Sequence, residues 1–571
     1  MHLLRTFVSQ YPWQSVFLVV ALLLSGLADG IGLSALLPAL QLTLSAEAKD
    51  DGNDFTRFVD DAMASIGMTP TLGVLLSVIL GAIVLKNILI FFANQRIGYI
   101  AADVATELRM TLLRTVIASR WEFFTHQSSG ALANSMATEA WRASNAYVFA
   151  VRVLASLIEA LVYLSVAVIA SWQATVLCIV VGVAVLGASH VLVRIARRAG
   201  DRQTRWYRAL LSSLTDVLAS VKTFKAMGRD HVAEDVLSYE TGKLRKALRR
   251  QALSEAGLES AQESLLALVV VVGIYLALVT FEIGLPMVTF MVLVLGQTLK
   301  RVGKVQKQYQ KMLTCESAYW ALDATIREAR AAAEHTHGSI APTLERAIEF
   351  KNVSFAYGTH EILSDATFEV PARRITCLVG DSGAGKTTVA DLIIGLIAPT
   401  KGDLTIDGVP IADIDLRQWR HSIGYVPQDN LLLHDSVLQN VTLGDPTLNE
   451  ADAMVALRAA GAEEFVAQLP EGIHAIVGER GTRLSGGQRQ RIMIARSLAH
   501  RPRLLILDEA TSALDADTEA GICATLKDLS QTVTILAVSH QPALAAAADR
   551  VYRLRNSRVL PVDAQPSRLS Q

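Results

Sequence analysis

Six stretches of the first 300 residues are apolar enough to cross a lipid bilayer, and nothing else in the chain restricts its fold as strongly. A hydrocarbon core of about 30 Å takes about 20 apolar residues in a helix. The runs 16–40, 71–90, 148–172, 174–193, 265–281 and 283–299 come close to that length. The last two are short and split by Glu282, and their flanks continue as helix. Buried core helices can imitate one such run, but not six before residue 300. Composition agrees. The 571 residues are 51% hydrophobic and 19% charged, with formal net charge -1, whereas soluble chains carry about 25% charge. Mean hydropathy is +0.35. This excludes a disordered chain, a collagen and a binder of nucleic acid through bulk positive charge. No nucleic-acid partner is expected.

Lys and Arg in the flanking loops set the orientation. Loop 41–70 is acidic, with Asp50, Asp51, Asp54, Asp60 and Asp61 against Lys49 and Arg57. Segment 194–250 is crowded with Arg and Lys. The long loops after spans 2 and 4 are therefore expected in the cytoplasm, and an even span count places both termini there. Residues 1–14 show no signal-peptide cleavage pattern and read as a short interfacial helix, with Tyr11 and Trp13 at headgroup level. The long loops 94–145 and 194–255 read as helix continuing from the spans, with Gly130 and Gly228 as local punctuation. Cys178, Cys315, Cys377 and Cys523 show no CxxC or Cys/His metal spacing, so neither a disulfide nor a metal site is expected from cysteine.

Residues 300–330 stay helical and turn polar. Residues 329–345 form a small-residue linker, with His335 and His337 read as linker rather than metal ligands. From Ile348 onward, short β-type runs (348–355, 375–379, 504–507, 533–538) alternate with helical stretches. That is the pattern of an α/β nucleotide-binding domain. The expected division is 1–328 for the six-span domain, 329–345 for the linker, 346–560 for the soluble domain and 561–571 for a tail.

Two motifs carry chemistry. Gly380, Ser382, Gly383, Ala384, Gly385, Lys386 and Thr387 fit the phosphate-loop pattern, with Thr388 following. The loop follows a strand and opens a helix, the context that confirms it. Its glycines let backbone N–H groups close on phosphates, and the helix start adds positive potential. Lys386 reaches the outer phosphates, and Thr387 offers its hydroxyl to Mg²⁺. Downstream, the apolar strand 504–507 ends in Asp508 and Glu509. Asp508 is placed to hold Mg²⁺, and Glu509 to polarise the attacking water. ATP and Mg²⁺ are the expected cofactors.

Between them stand Leu484, Ser485, Gly486, Gly487, Gln488 and Arg491. Here the chain resembles the ATP-binding cassette (ABC) ATPases, whose signature motif this run matches. Other family elements follow in order over 346–555. Tyr357 resembles the adenine-stacking aromatic, and Gln428 the Q-loop glutamine. Asp515 resembles the D-loop aspartate, and His540 the switch histidine. The resemblance implies two cassettes closed head to tail on two ATP molecules, with Ser485 and Gly487 meeting the γ-phosphate held by the partner. One cassette per chain implies a dimer, and the intact Glu509 and signature favour a homodimer. Val477 to Gly481 resemble the x-loop of exporter-type cassettes. Phe123, Phe124 and Gly130 lie where the family places its first coupling helix, and residues 218–228 lie near the second.

The fold class implied is an all-α six-helix transmembrane domain followed by an α/β P-loop ATPase, in a multi-pass inner-membrane protein. The implied function is ATP-driven export or flipping of an amphipathic or lipid-linked substrate. Membrane lipids would surround it. The alternatives are an exporter-fold importer of a siderophore-like or vitamin-like ligand, and a nucleotide-gated channel or regulator. The run Gly26 to Leu33 with Pro38 resembles span 1 of lipid-linked oligosaccharide flippases. Charges inside spans are costly and tend to face cavities. Asp29, Arg152, Glu159, Glu259, Gln262 and Glu263 are the cavity candidates, the last three sharing a helical face with Glu255; inter-helix pairing and, for Glu255 and Glu259, cytoplasmic helix surface are the competing readings.

Overall fold

A computed structural model of the chain describes residues 12–44, 61, 64–65, 67, 69, 71–170, 172–275, 278–279, 285–334, 338–428, 431–510 and 516–562. Two compact units result: Met1–Ser119 with Phe123–Ala333, and Arg120–Glu122 with Glu334–Gln571. Tyr11, His335, His337, Asp515 and the acidic residues Asp50 to Asp60 lie outside the described residues.

Among the described residues up to Ala333 the helices are α1 (Pro12–Ser34), α2 (Leu36–Leu44), α3 (Leu72–Ile117), α4 (Trp121–His126), α5 (Ser129–Asn134), α6 (Ala140–Ala170), α7 (Trp172–Ala219), α8 (Val221–Ala226), α9 (Asp230–Tyr275) and α10 (Leu285–Ala331). The described parts of the six apolar runs fall on α1–α2, α3, α6, α7, α9 and α10. Among the described residues, Val16–Thr43, Leu72–Ile117 and Ser129–Ile169 are long and apolar enough to cross a membrane, by length and composition. Helices α3, α7, α9 and α10 have 46, 48, 46 and 47 residues. At about 1.5 Å per residue each is roughly 70 Å long, more than twice the hydrocarbon core. Their outer turns therefore run on past the bilayer, as the polar sequence of 194–250 and 300–330 requires.

Small residues let these helices meet. A Cβ on Gly30 would stand 2.8 Å from Val162 Cγ1, so α1 and α6 are in close contact there. Gly130 is read differently by the structure than by its sequence context. It lies in α5, where a Cβ would come within 2.7 Å of the Leu211 carbonyl oxygen and Ser212 Cα of α7. It is a packing glycine, one helix beyond α4, which holds Phe123 and Phe124. A π-turn, Ser135–Glu139, links α5 to α6.

The second unit holds strands β1 (Ala347–Tyr357), β2 (His360–Pro371), β3 (Ile375–Gly380), β4 (Lys401–Ile406), β5 (Val409–Pro410), β6 (Ile423–Val426), β7 (Leu504–Asp508), β8 (Thr534–Val538), β9 (Arg550–Arg555) and β10 (Arg558–Val562). They form a four-stranded sheet, β2-β1-β4-β5, and a six-stranded one, β10-β9-β3-β8-β7-β6. In the second sheet β9, β3, β8, β7 and β6 run parallel, and β10 closes the edge antiparallel. Every residue of β7 and β8 is buried, which explains why those runs read as continuously apolar rather than alternating. Helix α11 (Lys386–Ile394) leaves the end of β3, and α12 (Leu416–His421) seats the fully buried Trp419, whose Nε1 donates to the Ile393 carbonyl at 2.7 Å. Helix α13 (Gly486–Leu498) follows the signature.

Candidate functional site

The carboxyl ends of parallel strands are where α/β sheets bind ligands, and β3, β7 and β8 end together. The turn after β3 is the phosphate loop. Gly383 and Gly385 take φ +79° and +104°, backbone conformations glycine adopts without strain. A Cβ on Gly385 would also stand 2.3 Å from Ile362 Cγ2, and one on Gly380 2.6 Å from the Leu554 carbonyl oxygen. Ser382 and Thr387 are exposed, Ala384 is half-buried and Thr388 is buried. Lys386 is only 5% exposed. Its Nζ donates to the carbonyls of Gly380 (2.9 Å) and Asp381 (3.0 Å) and lies 3.5 Å from Glu509 Oε1.

Strand β7 delivers Asp508 and then Glu509. Thr387 Oγ1 donates to Asp508 Oδ1 at 3.4 Å, and the Tyr425 hydroxyl donates to Asp508 Oδ2 at 3.4 Å. Asp508 is 2% exposed, and burial pushes its carboxyl above the usual range against the help of the Thr387 hydroxyl. Asp391, one helical turn beyond Thr387 on α11, is pushed up to about 6 by burial and then by the Asp508 charge. A hydroxyl and one carboxylate are hard oxygen donors, a set that suits Mg²⁺ completed by phosphate oxygens and waters. Among the described residues no group of three or more His, Cys, Asp and Glu could hold a metal ion.

Glu509 adopts φ +48°, a region costly for a non-glycine residue and found at functional positions. Its backbone N–H is tied to the Val538 carbonyl at 2.8 Å. That turn aims its carboxylate back over the loop. Gln428 Nε2 donates to Glu509 Oε2 at 2.7 Å. His540 Nδ1 lies 3.9 Å from Glu509 Oε1, an ion pair only when the imidazole is protonated. Lys386, Thr387, Gln428, Asp508, Glu509 and His540, named from sequence, thus converge at the ends of β3, β6, β7 and β8. Tyr357 stands at the end of β1, about half exposed, edge-on to Phe355 at 4.9 Å.

The signature forms the start of α13. Ser485 caps α13, accepting from the Gln488 backbone N–H at 3.2 Å, while Gln488 Oε1 accepts the Ser485 N–H at 2.9 Å. This capping box occupies Ser485 and Gln488 with each other. It leaves Gly486 and Gly487 in a first turn whose N–H groups have no helical acceptor.

Sequence reasoning missed Tyr425 and Asp391. Both had a signal. Tyr425 pairs with Ile506 in the β6–β7 register, so it shares a face with Asp508 two residues on. Asp391 is four residues past Thr387 on one helix.

In the first unit, Asp29 and Glu159 are placed between helices. Asp29 Oδ2 lies 2.6 Å from Lys86 Nζ of α3 and accepts the Tyr163 hydroxyl of α6. Arg301 of α10 lies 3.7 Å from Asp29 Oδ2 and 2.6 Å from Glu159 Oε2, and Lys304 3.7 Å from Glu159. Glu259 is exposed with Lys307 at 2.8 Å. Glu263 and Arg152 are exposed, Glu255 accepts from Gln251, and the Gln262 side chain lies outside the described residues.

Comparison with known proteins fits both units. Residues 363–512 match the ABC transporter family, and residues 54–308 the ABC transporter transmembrane region. The ATP-dependent lipid A-core flippase of Alkalilimnicola ehrlichii is 32% identical over 510 residues, covering 84% of this chain and 83% of that protein. The protein of the same name from Haemophilus influenzae is 29% identical over 490 residues, covering 83% and 82%. A solved bacterial Atm1-family ABC exporter with ATP bound superposes with a TM-score of 0.79 at 23% identity, covering 96% of this chain and 95% of that one. The chain therefore belongs to the ABC transporter family, as a membrane protein in which a helical transmembrane region is coupled to a nucleotide-binding domain that hydrolyses ATP to drive transport.

Proposed function

We propose that this chain is one half of a homodimeric exporter that flips an amphipathic, lipid-linked substrate across a bacterial inner membrane. Its termini and ATPase lie in the cytoplasm, and its parts divide at 1–328, 329–345, 346–560 and 561–571. The observation that carries the dimer is the split of the site. One chain gathers Lys386, Asp508, Glu509, Gln428 and His540 at one place, while its signature residues Ser485 and Gln488 bond to each other. A second copy would bring its Ser485, Gly486 and Gly487 to the γ-phosphate, where the open N–H groups of a helix start favour an anion. The lipid-type substrate rests on the flippases named above.

The roles follow from position. The phosphate loop and Lys386 hold the phosphates, and Tyr357 stacks on adenine. Thr387 and Asp508, with Gln428 from the side, would hold Mg²⁺, which neutralises phosphate charge as the γ-bond breaks. Glu509 takes the proton of the attacking water, work worth about 10²–10⁴ in rate. Gln428 orients the Glu509 carboxylate, His540 stabilises charge on the γ-phosphate, and Asp515 reads the second copy. ATP binding joins the copies and turns the transmembrane region outward, and hydrolysis resets it.

The test is reconstitution into vesicles with the ATPase outward, loaded with fluorescent lipid-linked saccharides. ATP should move label from the outer to the inner leaflet, and the same lipids should stimulate hydrolysis. Absence of both, with ATP-gated ion conductance instead, would establish a channel. Loss of a preloaded soluble ligand would establish an importer.

A further inference from the structure

The Asp508 carboxylate is almost wholly out of water, at 2% exposure. Its two oxygens receive one hydroxyl each, Thr387 at Oδ1 and Tyr425 at Oδ2. We propose that Tyr425 is a positioning residue for the divalent cation: its hydroxyl holds Asp508 Oδ2 and so keeps Oδ1 beside Thr387, where the cation and nucleotide phosphates meet.

Three observations favour this over simple strand packing. First, Tyr425 is 36% exposed while its neighbours Gly424 and Val426 are buried, so the ring is not placed to fill the core. Second, the β6–β7 register sets it diagonal to Asp508 on one face, within reach of a long aromatic side chain. Third, the Asp508 charge acts on the Asp391 carboxyl of α11, helping burial hold it above the usual range, and the same repulsion gives an Asp508 without a donor at Oδ2 reason to rotate. A metal-ligating carboxylate is oriented by such outer partners.

The inference rests on Thr387 and Asp508 being the cation-facing pair, and the experiment separates the two. Binding of Mn²⁺ to the full-length chain with saturating ATP is followed by electron paramagnetic resonance for wild type, Tyr425→Phe and Asp508→Asn. Tyr425→Phe keeps the ring, and its thermal unfolding is checked beside wild type. It should raise the Mn²⁺ concentration for half-saturation about tenfold, the low end for losing an outer partner because the contact is long. ATP affinity in chelator should stay put, and the Mg²⁺ requirement of hydrolysis should shift by the same factor and recover at high cation. A Tyr425→Phe curve within twofold of wild type overturns the positioning role. If Asp508→Asn also leaves Mn²⁺ binding intact, the assignment of the cation site itself is overturned.

Discussion

Replacing Glu159 by Gln keeps the shape of the side chain and removes its charge from the middle of four helices. The wild-type cluster sets three cations (Lys86, Arg301, Lys304) against two carboxylates (Asp29, Glu159), and the neutral variant sets three against one. Glu159 is 7% exposed and Arg301 18%, so water screens their 2.6 Å contact poorly. Breaking a buried pair by removing one partner costs about 3–5 kcal/mol. Here the low end applies, about 3 kcal/mol, because Arg301 keeps Asp29 at 3.7 Å and the Tyr163 ring at 5.5 Å. Arg301→Gln should cost somewhat less, about 2 kcal/mol, since Glu159 retains Lys304 at 3.7 Å. The double variant should cost less than the two together by a coupling of about 2 kcal/mol. The assay is unfolding of the purified chain by sodium dodecyl sulfate in mixed micelles, read by circular dichroism across the four proteins of the cycle. An ordinary polar contact between membrane helices is worth about 0.6 kcal/mol. A coupling at or below that value would refute the reading of Glu159 and Arg301 as an inter-helix lock, and would return Glu159 to the list of cavity charges.

Glu509→Gln should bind ATP as tightly as wild type and hydrolyse it at least about a hundredfold more slowly; nucleotide binding and phosphate release measured side by side would reassign Glu509 if the rate held. Asp391→Asn should flatten the pH dependence of stability of nucleotide-free protein. The wild-type carboxyl, raised to about 6, keeps its proton when the unfolded chain has lost it. Its contribution is therefore complete below about pH 4 and is lost as pH rises to about 6; incomplete burial trims the two-unit shift to about 1 kcal/mol. Melting temperatures at pH 4.5 and 6.5 should converge in the variant, and an unchanged difference would remove Asp391 from the account.

The nucleotide site was legible because its parts are local. A phosphate loop is a strand, a turn of glycines and a helix start within some fifteen residues, and Ser485 to Gln488 form a capping box three residues apart. The strands β3, β7 and β8 were legible as apolar runs because both faces are covered. Of the antiparallel β1–β2 pair only β1 was read, as the run 348–355; its partner β2 pairs with register slips between Phe350 and Val353 and again before Ala356, which break the regular alternation that marks a strand. In the spans, the sequence shows where a charge is costly but not what compensates it. Asp29 meets Lys86, Tyr163 and Arg301 on three other helices, and Gly130 meets Ser212 across α5 and α7. None of these pairs has a fixed spacing. Charge inside a span therefore marks a place where helices must agree on their packing before it marks a place where substrate binds. Of the cavity-candidate carboxylates, Glu259 and Glu263 are exposed on α9 and hold no buried cation, so their neutralisation should change transport in the vesicle assay without changing stability.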